Sequence, residues 1–312
     1  MIILEDSLTR DLHDRTYIAL GSFDGLHIGH MSLISKTVKL AEKNNAKSMV
    51  FTFRDHPLAT INPEISPKLI MDNNSKLEVL EKSGLDIISM VNFDRGFMQM
   101  SPEDFVINLV KHYKAKGLIV GFNYRFGYKN LGDVELLKKM SNAYDFSLNI
   151  IEPVKYKGQI VSSSFIRNII VDEGDMKKAN KLLARPFMIQ GNVVKGKQLG
   201  RTLGFPTVNL DYNKRYVLPK GGVYYTVVEH KGRIFKGITN VGYNPTTHDN
   251  KLNIETHISD FNEDIYDEHV KVYFIERIRE EKKFNSLDEL AEQLKRDKIY
   301  AMKQKLEINF KI

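Results

Sequence analysis

The 312-residue sequence predicts an α/β fold followed by a β fold: a doubly wound parallel sheet over residues 1–185, then a small antiparallel β-barrel over residues 186–312 with a C-terminal helix. Three observations carry this reading. In the first part, apolar β-rich runs alternate with helices of about a dozen residues, as in a parallel sheet built from crossovers. From Pro186 that alternation stops, and short strand-like runs with glycine turns take over. A capping box at Ser286 and Glu289 then opens one amphipathic helix near the C-terminus.

Residues 17–20 (YIAL) read as a buried first strand, ended by Gly21 and Ser22. Phe23, Asp24 and Gly25 make the turn, and residues 31–44 read as a helix with Leu33, Ile34, Val38 and Ala41 on one stripe. His27 and His30 therefore stand at the mouth of that helix, three residues apart, where their rings share a face. Gly25 and Gly29 remove side chains that would keep a ligand from the backbone. A helix start also offers unpaired N–H groups and the positive dipole end, so the stretch containing Gly21, Phe23, Gly25, His27, Gly29 and His30 is a candidate phosphate site.

Residues 48–53 (SMVFTF) form the next strand and run into the polar loop Arg54-Asp55-His56-Pro57. A helix over 74–82 and a strand over 86–91 follow. Ser101 then caps a helix with Pro102 at its first position and acids in its first turn. Strands over 117–121 and 146–151 flank a helix over 133–144. Ligands of such sheets bind at the carboxyl ends of the strands, so the loops after residues 20, 53 and 121 can converge. The loop after Gly121 holds Phe122, Asn123, Tyr124, Arg125 and Phe126. Its aromatics either stack on a planar ring, with Asn123 reading the polar edge, or tuck into the core. Ser162, Ser163 and Ser164 with Arg167 lie at the mouth of a further helix, as a second phosphate cradle or as a plain N-cap run.

In the second part, strands are expected over 187–194, 223–229, 234–241, 252–258 and 270–275, with a hairpin turn at 229–233. Gly191 to Lys197 satisfies G-x-x-x-x-G-K, but Gln198 replaces the Ser/Thr and no helix follows, so a P-loop is rejected. Gly196, Gly200 and Gly204 let a backbone loop cover phosphates by another route. Thr207 and Asn209, two apart in an extended segment, offer hard oxygens for Mg²⁺, unless the segment is a plain edge strand. Glu255 faces solvent if Ile254 and Thr256 face the core, and the barrel mouth if they do not.

The net charge of +7 is spread evenly over both parts, without the basic arm or face of a nucleic-acid binder. No apolar run approaches the ~20 residues of a membrane span. Acids appear after four apolar residues at the N-terminus, so no signal peptide is expected. The sequence contains no cysteine, which removes disulfides and thiolate chemistry and suits a cytoplasmic protein. The oligomeric state is not legible.

The string G-x-F-D-G-x-H-x-G-H, together with FTFRDHP, VGFNYRFG, SSSFIR, LGRTLGFPTVNL, NVGYNPT, IETHISDF and RIREEKKF, resembles the bacterial bifunctional riboflavin kinase/FAD synthetases over nearly the whole chain. The resemblance implies FMN adenylyltransfer from ATP in residues 1–185, giving FAD, and phosphorylation of riboflavin by ATP in residues 186–312, giving FMN. It implies that His27 and His30 hold the triphosphate, that Ser163, Ser164 and Arg167 clamp pyrophosphate, and that Asn123 and Phe126 contact flavin. In the kinase half it implies Mg²⁺ and phosphate at Thr207 and Asn209, a general base at Glu255, and flavin contacts at Arg279, Glu281 and Phe284. The sequence departs from the family pattern at Ser22 (usually Asn), Ser164 (Thr), Val208 (Ala), Asp267 (commonly Gly) and Arg54, which interrupts the usual Asp-Pro-His-Pro loop. An alternative expectation is a monofunctional adenylyltransferase whose barrel is a flavin-binding regulatory module.

Overall fold

A computed structural model describes residues 1–5, 8–196, 203–243, 252–306 and 308. Two compact units emerge, one of residues 1–67 and 72–162, the other of residues 68–71 and 163 onward.

In the first unit, six strands form one parallel sheet: β1 (Ile2–Leu4), β2 (Thr16–Leu20), β3 (Lys47–Phe53), β4 (Ile87–Val91), β5 (Ala115–Gly121) and β6 (Ser147–Ile151), in the order β1-β4-β3-β2-β5-β6. The expected strands are all present; β1 is additional, a three-residue edge strand too short to show a period. The helices are α1 (Ile28–Lys43), α2 (Pro57–Ile61), α3 (Asn73–Lys82), α4 (Arg95–Met98), α5 (Pro102–Lys111) and α6 (Val134–Tyr144). β2 and β3 are buried at nearly every position, which is why they read as continuous apolar runs rather than alternating ones. One face of the sheet builds a core from Leu20, Phe51, Phe105, Leu118 and Leu137, and the other packs Tyr17, Ala41 and Ile119. Ser101 caps α5 as expected, its Oγ accepting the Asp104 N–H at 3.0 Å. After β2 the chain moves to β3 on one side and later returns to β5 on the other. The topological switch therefore lies between β2 and β5, where doubly wound sheets bind ligands. A two-strand hairpin, β7 (Lys155–Tyr156) and β8 (Gln159–Ile160), ends the unit.

The second unit begins with α7 (Ser163–Asn168), a π-helical segment (Ile169–Glu173) and α8 (Met176–Leu183). A closed antiparallel barrel follows: β9 (Phe187–Val194), β10 (Thr207–Tyr212), β11 (Gly222–His230), β12 (Arg233–Tyr243), β13 (Leu252–Ile258) and β14 (His269–Arg279). Its cyclic order is β10-β13-β12-β11-β14-β9. Closure means that β10 pairs on both sides, so the edge-strand alternative for Thr207 and Asn209 is excluded. Lys231 and Gly232, both at positive φ, make the two-residue turn between β11 and β12. Inside the barrel, Thr239 bonds Thr226 at 2.8 Å and Thr256 at 2.9 Å, so these buried hydroxyls satisfy one another. Outside it, Val223, Tyr225, Val227, Ile238 and Tyr273 pack with Ala301 of α9 (Leu287–Lys303). α8 rests on β14 and β9, and Asn180 ties the two by donating to the Phe274 carbonyl and accepting from the Phe187 N–H, each at 2.8 Å. Asp267, which stands where the resembled family commonly has Gly, has φ +62, a left-handed conformation that glycine adopts without strain.

Candidate active sites

In the first unit, Gly21 extends the ladder by donating to the Phe51 carbonyl at 3.2 Å, and the chain then turns sharply. Phe23 has φ +49 and Leu26 φ +39, both fully buried side chains in the left-handed region. Such backbone costs on the order of 1–3 kcal/mol per residue and persists only where surroundings hold it. The Ser22 carbonyl is held by two donors, Thr52 Oγ1 at 2.9 Å and Lys76 Nζ at 3.2 Å. Gly21 leaves room for the Phe23 ring, which a Cβ would approach to 3.2 Å.

The turn delivers His27 as the N-cap of α1, with Nδ1 accepting the His30 N–H at 3.3 Å. A neutral imidazole that accepts at Nδ1 carries its proton at Nε2, so His27 is a donor at Nε2. The His27 and His30 rings stack at 3.7 Å and 18°, as the shared face predicts, and the Phe23 ring meets His30 edge-on at 5.2 Å. Gly29 leaves room for this stack: a Cβ there would lie 3.1 Å from His27 Nδ1, closer than ordinary contact.

The loop after β5 divides its aromatics. Phe126 is 5% exposed, stacks on Tyr124 at 5.5 Å and packs against Phe105. Its main chain exchanges two hydrogen bonds with Gly132. Burial pushes the Tyr124 phenol well above its usual range. Phe122 and Asn123 remain exposed. The ring of Phe126 is thus enclosed by the core, and Asn123 is among the residues the loop leaves exposed.

In the second unit, Ser163 begins α7, Ser164 is exposed, and the Arg167 Nε donates to the Lys68 carbonyl at 2.8 Å. The barrel settles the alternative left open for Glu255. Ile254 and Thr256 are 1% exposed and face the interior, so Glu255 is on the outer face, half-buried. There it pairs in register with Asn209 on one side and Asn240 on the other, and Thr207 lies two residues along β10 on the same face. Val208, opposite Thr256, is on the other face. Gly196 packs flat against the Asn209 amide, since a Cβ would come within 1.9 Å of Nδ2. Gly204 has φ +77; Gly200 lies outside the described residues.

His257, 8% exposed, donates from Nδ1 to the Pro206 carbonyl at 2.9 Å and meets Phe205 edge-on, pinning the entry to β10. Burial lowers its pKa. Beside Thr207 opens a cavity of about 300 Å³ lined by Pro206, Ile258, Phe261, Ile265 and Tyr266. Sequence reading missed this cavity and Asn240, because both depend on cross-strand register.

Arg279 is the last residue of β14, and Glu281 and Phe284 follow it. The Arg279 Nε and Nη2 grip Asp297 of α9, itself 2% exposed, at 3.0 and 2.8 Å. Glu281 lies against Gly221 and Gly242: a Cβ on Gly242 would meet Glu281 Oε1 at 1.8 Å and Asn240 Nδ2 at 3.1 Å. The Phe284 ring is 5.9 Å from the Arg279 guanidinium.

Comparison with known proteins matches both units. The FAD synthetase family model covers residues 9–165 and the riboflavin kinase model residues 183–305. A bifunctional riboflavin kinase/FMN adenylyltransferase of Bacillus subtilis is 32% identical over 95% of this chain and 94% of its own length. One of Escherichia coli K12 is 36% identical over 91% of each. A crystal structure described as a macrolide-efflux protein from Streptococcus pneumoniae superposes with a TM-score of 0.87 at 32% identity, covering 97% of this chain and 99% of that one. Among the described residues no helix is long and apolar enough to cross a membrane.

Proposed function

Because this chain belongs to the bifunctional riboflavin kinase/FMN adenylyltransferase family, it is an ATP-dependent transferase with two activities, and we propose that each occupies one of the sites described above. It phosphorylates riboflavin to FMN, and it adenylylates FMN to FAD with release of pyrophosphate. Matches to both family models favour this over a barrel with a purely regulatory role. We place the boundary between the two activities near residue 185, where the barrel begins, although the compact units divide at residues 162 and 163.

Adenylyl transfer is assigned to the switch point. An FMN phosphate oxygen attacks the α-phosphorus of ATP directly, so catalysis rests on positioning and on stabilising developing charge. The observation that supports the assignment is the stacked His27–His30 pair, with an Nε2–H donor on His27, at the helix mouth after β2. The turn of Gly21, Phe23, Gly25 and Gly29 brings backbone close to the phosphates. Asn123, on the loop after the neighbouring strand β5, addresses the flavin, and Phe126 anchors that loop. Ser163, Ser164 and Arg167 are assigned to the pyrophosphate.

Phosphoryl transfer is assigned to the outer row of the barrel. Glu255 takes the proton from the ribityl 5′-hydroxyl as its oxygen attacks the γ-phosphorus of ATP, and the bond to the β-phosphate breaks to release ADP. Thr207 and Asn209 present a hydroxyl and an amide oxygen on the face of the Glu255 carboxylate, a hard-oxygen set that fits Mg²⁺. Mg²⁺ held there supplies neutralisation of phosphate charge. Gly196 and Gly204, with Gly200 outside the described residues, are assigned to the phosphates, and the cavity beside Thr207, with the Phe261 and Tyr266 rings, suits a planar base. Glu281 and Phe284 address the flavin, while Arg279 holds α9 against the barrel through Asp297. The enzyme is placed in the cytoplasm with small-molecule partners only.

One assay tests both assignments: riboflavin, ATP and Mg²⁺ are supplied and FMN and FAD resolved by chromatography. His30→Ala is expected to lower FAD formation by ~10²-fold with FMN formation unchanged. Glu255→Gln is expected to lower FMN formation by ~10²-fold or more while riboflavin binding persists. A variant that depresses both activities equally refutes the division, and near-normal FMN turnover in Glu255→Gln removes the base.

A further inference from the structure

We propose that Lys76 is a positioning residue for adenylyl transfer: together with Thr52 it holds the Ser22 carbonyl and so fixes the peptide that leads into the His27–His30 turn. The inference rests on the assignment of adenylyl transfer to that turn.

Lys76 is 5% exposed and stands on the buried stripe of α3 with Ser75, Val79 and Leu80, a position an apolar side chain would fill without cost. Burying an ammonium is expensive unless it is paired and hydrogen-bonded. Here the carboxylates of Asp24, Asp55 and Asp72 act against the burial that lowers its pKa. Those three come from the turn after β2, the loop after β3 and the N-cap of α3, so one cation serves loops at the carboxyl ends of two adjacent strands. Its hydrogen bond goes to the backbone: Nζ lies 3.2 Å from the Ser22 carbonyl, which also accepts from Thr52 Oγ1 at 2.9 Å. A peptide is planar and trans, so turning this carbonyl toward Thr52 and Lys76 sends the Phe23 N–H the opposite way. The next residue is Phe23, held at φ +49 with its ring against His30. Two donors on one carbonyl, from a strand and a helix, are what hold a left-handed phenylalanine in place.

The test compares full-length Lys76→Met and Thr52→Val with the parent, following FAD and FMN formation, circular dichroism and thermal midpoint. Lys76→Met keeps the aliphatic stem and is expected to lower kcat for FAD formation about 10²-fold, and Thr52→Val about tenfold, as displaced reacting groups do. KM for ATP should change by less than about threefold, and FMN formation should not change. A folded Lys76→Met with FAD kcat within about threefold of the parent overturns the proposal, as does a loss carried by KM alone. If Lys76→Met does not fold, Thr52→Val decides, and an unchanged FAD kcat in that variant overturns it. His30→Ala run beside them separates two failures. If it too keeps FAD formation, the site assignment falls; if it loses FAD formation while Lys76→Met does not, only the role of Lys76 falls.

Discussion

Replacing Gly196 by alanine should disable the kinase without touching the other activity. The added Cβ would lie 1.9 Å from Asn209 Nδ2, 2.7 Å from its Cγ and 3.2 Å from its Oδ1. Ordinary van der Waals contact begins near 3.4 Å, so the amide must retreat by about 1.5 Å along the outer face. Misplacing a positioning group by about 1 Å costs on the order of 10² in rate. Gly196 is not among the glycines with positive φ, so alanine meets no backbone strain, and stability should change by less than about 1 kcal/mol. The assay is FMN formation from riboflavin at saturating ATP across a Mg²⁺ titration, with FAD formation from supplied FMN as the internal control. Gly196→Ala is expected to lower FMN kcat about 10²-fold and to leave FAD formation unchanged. Because the effect runs through Asn209, the substitution should add almost nothing in an Asn209→Ala background. If Gly196→Ala keeps normal FMN formation while Asn209→Ala loses it, the position of the amide does not matter. If both keep it, Asn209 has no part in the reaction.

Two further outcomes follow from the same structure. A fragment of residues 163–312 should fold and convert riboflavin to FMN without making FAD, whereas one starting at residue 183 should be far less stable by thermal denaturation. The shorter fragment loses the buried Ile166, Ile169, Ile170, Met176 and Leu182. At roughly 1.5–3 kcal/mol each, their loss is comparable to the whole net stability of a domain. Equal midpoints for the two fragments would show that α7 and α8 contribute nothing to the barrel. At the far end of the barrel, Glu268 accepts from Lys231 at 2.8 Å and bonds the buried His230, and these two bonds hold its carboxyl below the usual range. A depressed carboxylate stabilises the fold above its unfolded pKa, and that contribution is lost as pH falls through the folded value. Glu268→Gln should therefore lower the thermal midpoint at pH 7 and converge on the parent well below pH ~4.5. A gap that persists in acid would mean that the carboxylate charge is not what matters.

The parallel sheet was legible because its central strands are buried on both faces. The stretches YIAL and MVFTF leave no alternative to a covered strand, and the alternation with capped helices supplies the topology. The stacked histidines were legible too, since their spacing and Gly29 are local facts. Lys76 left only a faint mark, a lysine at a stripe position of α3, and the sequence does not say which backbone carbonyl an ammonium will find. In the loop after Gly121, composition could not separate the phenylalanine that anchors from the residues exposed beside it. Phe126 is enclosed because its main chain pairs with Gly132, a contact that residue type does not reveal.

The kinase row was the hardest part, for a reason that lies in barrel geometry. In a strand with one wet face, alternation assigns every side chain; in β13 it could not. Ile254, Thr256 and Ile258 face inward, while on the outer face His257 is buried as well, packed with Phe205 under the entry to β10. The inward set also includes a threonine, made tolerable by the hydroxyls of Thr226 and Thr239. A polar residue on the inner face and a buried one on the outer face blur the alternation, so the side of Glu255 was left open. What assigns it is pairing across three strands, Asn209 to Glu255 to Asn240, and pairing is a property of register. The same pairing makes the row depend on Pro206. His257 holds the Pro206 carbonyl at 2.9 Å and is in register with Thr207, so the contact that fixes the proline also sets Thr207 opposite His257 and Asn209 opposite Glu255.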